Sequence, residues 1–99
     1  EINKVAYDHS IITANGVVSA THTLIIGNKG SALAVTLADG TTIGEFKIFT
    51  NKGAGAMTVT PANYAQGTTF ALAQYDGCTV IWDGTNWYVV GNQSSVTVA

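Results

Sequence analysis

Residues 80–90, VIWDGTNWYVV, decide the class of fold. Two runs rich in β-branched and aromatic residues flank Asp83-Gly84-Thr85-Asn86. Asp-Gly supplies the positive φ that a tight hairpin turn needs. The pattern predicts an antiparallel hairpin with Trp82 opposite Trp87 beside the turn. Such an aromatic cross-strand pair contributes up to about 1 kcal/mol.

Working outward, the rest of the chain has the same character. Val, Ile and Thr occupy 32 of 99 positions and Leu only four. Branching at Cβ restricts χ1 and suits a pleated surface better than a helix. Eleven glycines cut the chain into pieces too short for ordinary helices. Alternation predicts further strands and their inward faces. GVVSATHTLII places Val18, Ala20, Leu24 and Ile26 on one face with His22. SALAVTL turns Leu33, Val35 and Leu37 one way. EFKIF turns Phe46 and Ile48 inward and Glu45 and Lys47 outward. AMTVTP offers Met57 and Val59 before Pro61, TTFALA offers Phe70 and Leu72, and CTVIW offers Cys78, Val80 and Trp82. WYVVG turns inward either Trp87 and Val89 or Tyr88 and Val90.

The expected fold is all-β: a compact antiparallel β-sandwich, jelly-roll-like, or a small barrel, with about 7–9 short strands. It is expected to form one domain over residues 1–99. Residues 1–12 are an expected N-terminal arm and residues 92–99 a C-terminal one. The weak helical stripe in EINKVAYDH also allows a short helix or an edge strand. No strong internal repeat is visible in the sequence.

Charge narrows the function classes. Charged residues make up 10 % of the chain, against about 25 % in an average domain. Arginine is absent, and the four lysines, Lys4, Lys29, Lys47 and Lys52, are scattered. With a net charge of −2, the chain lacks the basic stripe that nucleic-acid readers use. No run of about 18 apolar residues marks a membrane-spanning helix, and no basic-then-apolar leader opens the chain. Folding a chain of this size buries roughly 9,500 Å², about 64 % of its extended surface. That core leaves little margin, and association is the expected support. Disulfides cannot supply it, because Cys78 is the only cysteine. His9 and His22 lack zinc-site spacing, so no metal or other cofactor is expected.

The motifs of chemistry read as structure. Asp39, Asp76 and Asp83 each precede glycine, which is a turn signature. No serine sits in a G-x-S-x-G elbow. GNKGSA and NKGAGAM lack a phosphate-loop pattern, and the second reads as a flexible hairpin tip. Cys78 reads as a packed thiol, and His22 as a hydrogen-bonded core or interface residue. Trp82, Trp87 and Tyr88, with Tyr64 and Tyr75, are candidates for a sugar-binding platform or an interface; core or interface is the commoner role for such rings. No enzymatic activity is expected.

Three segments carry a resemblance: VTLADGTTIGEFKIF, GAMTVTPANYAQGTTFAL and GCTVIWDGTNWYVVG. Their order and spacing, over roughly residues 33–92, resemble a β-rich module of tailed-phage virion proteins, notably of marine and cyanobacterial phages. The resemblance implies a virion structural protein assembled in the host cytoplasm. A capsid decoration (cement) protein is the first expectation, as a trimer that clamps the major capsid protein. A tail fibre or spike domain touching host glycans is the alternative, and a carbohydrate-binding module led by Trp82 or Trp87 is a third class. The resemblance carries no catalytic residues.

Overall fold

A computed structural model describes residues 6–92 and, for the backbone, 97 and 98. Each β-branched run, cut by a glycine or an Asx turn, forms a short strand. The strands are β1 (His9–Ile12), β2 (Gly16–Val17), β3 (Leu24–Gly27), β4 (Leu33–Leu37), β5 (Phe46–Asn51), β6 (Met57–Pro61), β7 (Phe70–Leu72), β8 (Gly77–Trp82), β9 (Trp87–Asn92) and β10 (Thr97–Val98). They form two five-stranded sheets, ordered β1-β3-β5-β8-β9 and β10-β7-β6-β4-β2. No helix long and apolar enough to cross a membrane occurs among the described residues.

The all-β class holds, but antiparallel pairing does not hold throughout. β1–β3, β3–β5, β2–β4 and β4–β6 are parallel ladders. Only β5–β8, β8–β9, β6–β7 and β7–β10 are antiparallel. The cause is the path of the chain. From β1 to β6 each strand crosses to the opposite sheet, so the next strand of the first sheet returns in the same direction. Parallel pairing needs such a crossover, and here strands of the facing sheet supply it instead of helices.

This path creates a repeat that the sequence reading did not find. Leu24 lies beside Ile48 and Leu33 beside Met57, the same step of 24 residues in both sheets. Equivalent inward positions are Ile25 and Phe49, Leu33 and Met57, and Val35 and Val59, all buried. The side chains differ too much in size for the repeat to show as letters.

The segment NKGAGAM is not a hairpin tip. It joins β5 in one sheet to β6 in the other and stacks on the preceding corner. Lys52 N–H donates to Gly27 O (2.8 Å) and Gly55 N–H to Lys29 O (3.0 Å). A Cβ on Gly55 would lie 1.8 Å from Ser31 O, so only glycine allows this approach. The DG turn follows expectation. Trp82 pairs with Trp87, their rings 5.4 Å apart, and Gly84 takes φ 99°. Asp83 Oδ1 accepts from the N–H groups of Thr85 (2.8 Å) and Asn86 (2.7 Å).

The inner faces share one core. Leu33, Val35, Leu37, Met57, Val59, Phe70, Leu72, Cys78, Val80 and Trp82 are buried as the alternation predicts, and for β9 the Trp87 and Val89 option is the one adopted. Phe49 and Phe70 meet edge-to-face across the sheets at 5.3 Å. Two strands are reversed relative to expectation. Ile25, not Leu24 and Ile26, is buried in β3; Lys47, Phe49 and Asn51, not Phe46 and Ile48, are buried in β5. A shift of one residue flips every side chain to the other face, and both strands carry apolar residues at both parities. His22 lies in the loop before β3, not mid-strand, with Ser19 Oγ 2.6 Å from its Nδ1.

At the ends, residues 9–12 form an edge strand in place of an arm or helix, and Thr97–Val98 pair with β7. The expectations for residues 1–5, 93–96 and 99 fall outside the described residues.

Candidate functional site

The reversal of β3 and β5 builds the most distinctive surface. Register across the first sheet sets its outward side chains in three rows: Phe46–Ile81–Tyr88, His9–Leu24–Ile48–Thr79–Gly91, and Ile11–Ile26–Thr50–Gly77. Large apolar groups fill most of this face, and Ile11 and Tyr88 are exposed. Tyr7 packs edge-on against Phe46 at 5.7 Å. None of these row positions is a carboxylate or an ammonium. One corner is hollow. Gly77 and Gly91 leave an open depression of about 430 Å³ beside Ile48, Thr50 and Thr79. A β-bulge where Thr79 pairs with Gly91 and Val80 with Val89 leaves Val90 as the extra residue, 57 % exposed.

The opposite outer face is different in kind. Ala34 pairs with Thr58, Thr36 with Thr60, and Val17 with Thr36. It carries threonine hydroxyls, methyls and the exposed Val17, with a depression of about 430 Å³ bordered by Val17, Thr36, Thr60 and Pro61.

Lys47 points inward because carbonyls await it. Its Nζ donates to His22 O (2.6 Å), Ser19 O (3.0 Å) and Ala20 O (3.4 Å). Three protons meet three acceptors and pin the loop before β3. Burial lowers the Lys47 pKa, and the Glu45 carboxylate acts the other way. With its protons so committed, the ammonium is a structural clamp. Lys47 and Asn51 were missed in the sequence, since a polar residue at an inward parity reads as a reason to flip the strand.

The candidate aromatics divide. Trp82 and Trp87 are buried at 5 % and 0 % exposure, and Trp87 Nε1 donates to Ala38 O (3.0 Å). Buried rings offer no face to a sugar. Tyr88 stands on the apolar outer face, its hydroxyl pKa raised by the neighbouring Asp83 carboxylate. Tyr75 is exposed on a turn, with φ 69°. Tyr64 packs on Phe70 at 5.8 Å. No common platform joins these rings.

The remaining candidates are structural. Cys78 is buried, and burial pushes its thiol pKa up to about 12, which suits packing and not nucleophilic attack. Asp76 Oδ2 accepts from Ala73 N–H (3.0 Å), and both Asp39 oxygens accept from Asn63 Nδ2 (2.9 Å each). His9 is exposed on β1. Among the described residues no three His, Cys, Asp or Glu side chains gather as a metal site would require.

Comparison with known proteins adds no family to this picture. No family model matches the chain, and no curated protein matches its sequence.

Proposed function

We propose that the chain is a non-catalytic structural subunit of a tailed-phage particle, most directly a decoration protein that binds the outer shell. The single observation that carries this reading is the uncharged apolar outer face of the first sheet. Such a face is costly to leave wet and suits lasting contact with protein. The resemblance over residues 33–92 supplies the particle. On this reading a sandwich-like scaffold offers two broad faces, and many modest interfaces with the major capsid protein sum over the shell to oppose internal pressure.

The tail-fibre reading stands second, on the exposed rings of Tyr75 and Tyr88. Counting copies of this chain in purified particles by gel densitometry separates the two. Hundreds of copies support decoration, whereas a few to a few dozen support the tail. A chain missing from purified particles overturns both.

A further inference from the structure

We propose that the outer face of the first sheet is a self-association surface that packs against a second copy of this chain about a two-fold axis. In this arrangement Phe46 and Ile81 of one copy enter the hollow at Gly77 and Gly91 of the other, and the reverse. The inference rests on the reading of the chain as a subunit that works through protein contacts, and it names the face and the partner.

Charge selects the partner. The three rows hold no fixed charge, and their only titratable groups are His9 and Tyr88. With Asp83 beside Tyr88 as the carboxylate at its margin, the face meets a copy of itself without placing like charges together across the middle of the contact. The net charge of −2 leaves little repulsion between copies.

Shape points the same way. Ridge and hollow lie side by side on one sheet surface. A two-fold axis between them sets ridge over hollow twice, the self-complementary geometry of an isologous contact. The hollow is real free space, since a Cβ on Gly91 would meet nothing within 4 Å.

The area sets the strength. Five strands at about 4.8 Å spacing give a face about 24 Å wide. With three rows of side chains, that lies toward the small end of specific interfaces. A contact of this size is expected to be reversible, and the test is centred on micromolar concentrations.

Sedimentation of the whole chain at about 10-fold above and below that range tests the proposal. The wild type is expected to reach the mass of two chains. Gly91→Leu places its Cβ in open space and extends a side chain into the hollow, and Ile81→Lys charges the ridge. Each is expected to weaken association at least tenfold, with near-ultraviolet circular dichroism unchanged. Thr36→Lys, on the opposite sheet, is expected to associate as the wild type does. If Ile81→Lys fails to fold, Gly91→Leu still decides. A wild type that stays monomeric, or a folded Gly91→Leu that associates normally, overturns the proposal. A three-chain species dissolved by Gly91→Leu keeps the face and overturns the two-fold axis. A monomer that is still found in purified particles would sink this inference and spare the virion reading; a dimer absent from particles would do the opposite.

Discussion

Asn51 offers the sharpest test of the path that alternates between the two sheets. It is fully buried at the end of β5. Its Nδ2 donates to Gly55 O (2.9 Å) and Leu72 O (3.0 Å), and its Oδ1 accepts from Gly53 N–H (3.1 Å). One side chain thus ties the β5–β6 corner to β7 in the facing sheet. In Asn51→Ala the Gly53 N–H loses its side-chain partner at a cost of roughly 1–3 kcal/mol. Each carbonyl keeps a second lone pair and loses less. The sum is about 3–4 kcal/mol, a large share of the roughly 5–15 kcal/mol that holds a domain together. At about 4–8 °C per kcal/mol, Tm should fall by roughly 12–32 °C. Asn51→Asp keeps the shape and adds a sign. Its carboxylate would face two carbonyl oxygens, and burial raises its folded pKa above the unfolded value. Stability of the aspartate variant is then complete below the unfolded pKa and lost as pH rises through the folded one. Thermal melts at about pH 4 and about pH 7 should show its deficit against wild type widening with pH. An alanine variant within about 1 kcal/mol of wild type, or an aspartate deficit that ignores pH, would refute the tie.

Three further outcomes follow from single sites. Gly55→Ala should cost about 2 kcal/mol or more in urea unfolding, since its Cβ meets Ser31 O, while Gly16→Ala, in open space, should stay within about 0.5 kcal/mol. The thiol of Cys78 and the hydroxyl of Tyr64 both have pKa values raised by burial to about 12, Tyr64 also by the neighbouring Cys78. Their stabilisation is complete below the ordinary values of 9.0 for the thiol and 10.0 for the hydroxyl and is lost as pH climbs toward about 12. Lys47, lowered by burial, moves stability the other way over its own range, so Cys78→Ala should flatten the alkaline loss seen in denaturant titrations. Lys47→Met should change global stability by less than about 2 kcal/mol, because a buried ammonium is itself costly. The same change should speed amide exchange in residues 19–23, and unchanged exchange there would refute the clamp.

The parts legible in the sequence are those fixed by neighbours along the chain. The DG turn, the tryptophan pair and the inward faces of β4, β6, β7 and β8 each follow from local turn chemistry and alternation. Strand partners do not. Nothing local distinguishes a chain that turns back beside itself from one that crosses to the other sheet, so parallel pairing and the 24-residue step stayed hidden. Lys47 and Asn51 misled for a related reason. Each is buried because particular backbone groups meet it, and those groups come from residues 19–22, 53, 55 and 72, which sequence alone does not bring together.

The reversed strands carry a further lesson about the surface. Leu24-Ile25-Ile26 in β3, Phe46 and Ile48 against Phe49 in β5, and Val80-Ile81-Trp82 in β8 are apolar at both parities. A strand with one wet face alternates; a strand covered on both faces reads as a nearly continuous apolar run. The second sheet alternates cleanly, with Leu33, Val35 and Leu37 buried and Ala34 and Thr36 exposed in β4, and its outer face carries threonine, alanine and Val17. The outer face of the first sheet is therefore mostly large apolar side chains, whereas that of the second carries hydroxyls and methyls. The ambiguity that hid the direction of β5 and the apolar face that invites a partner have one cause, and substitutions on that face should change assembly before they change the fold.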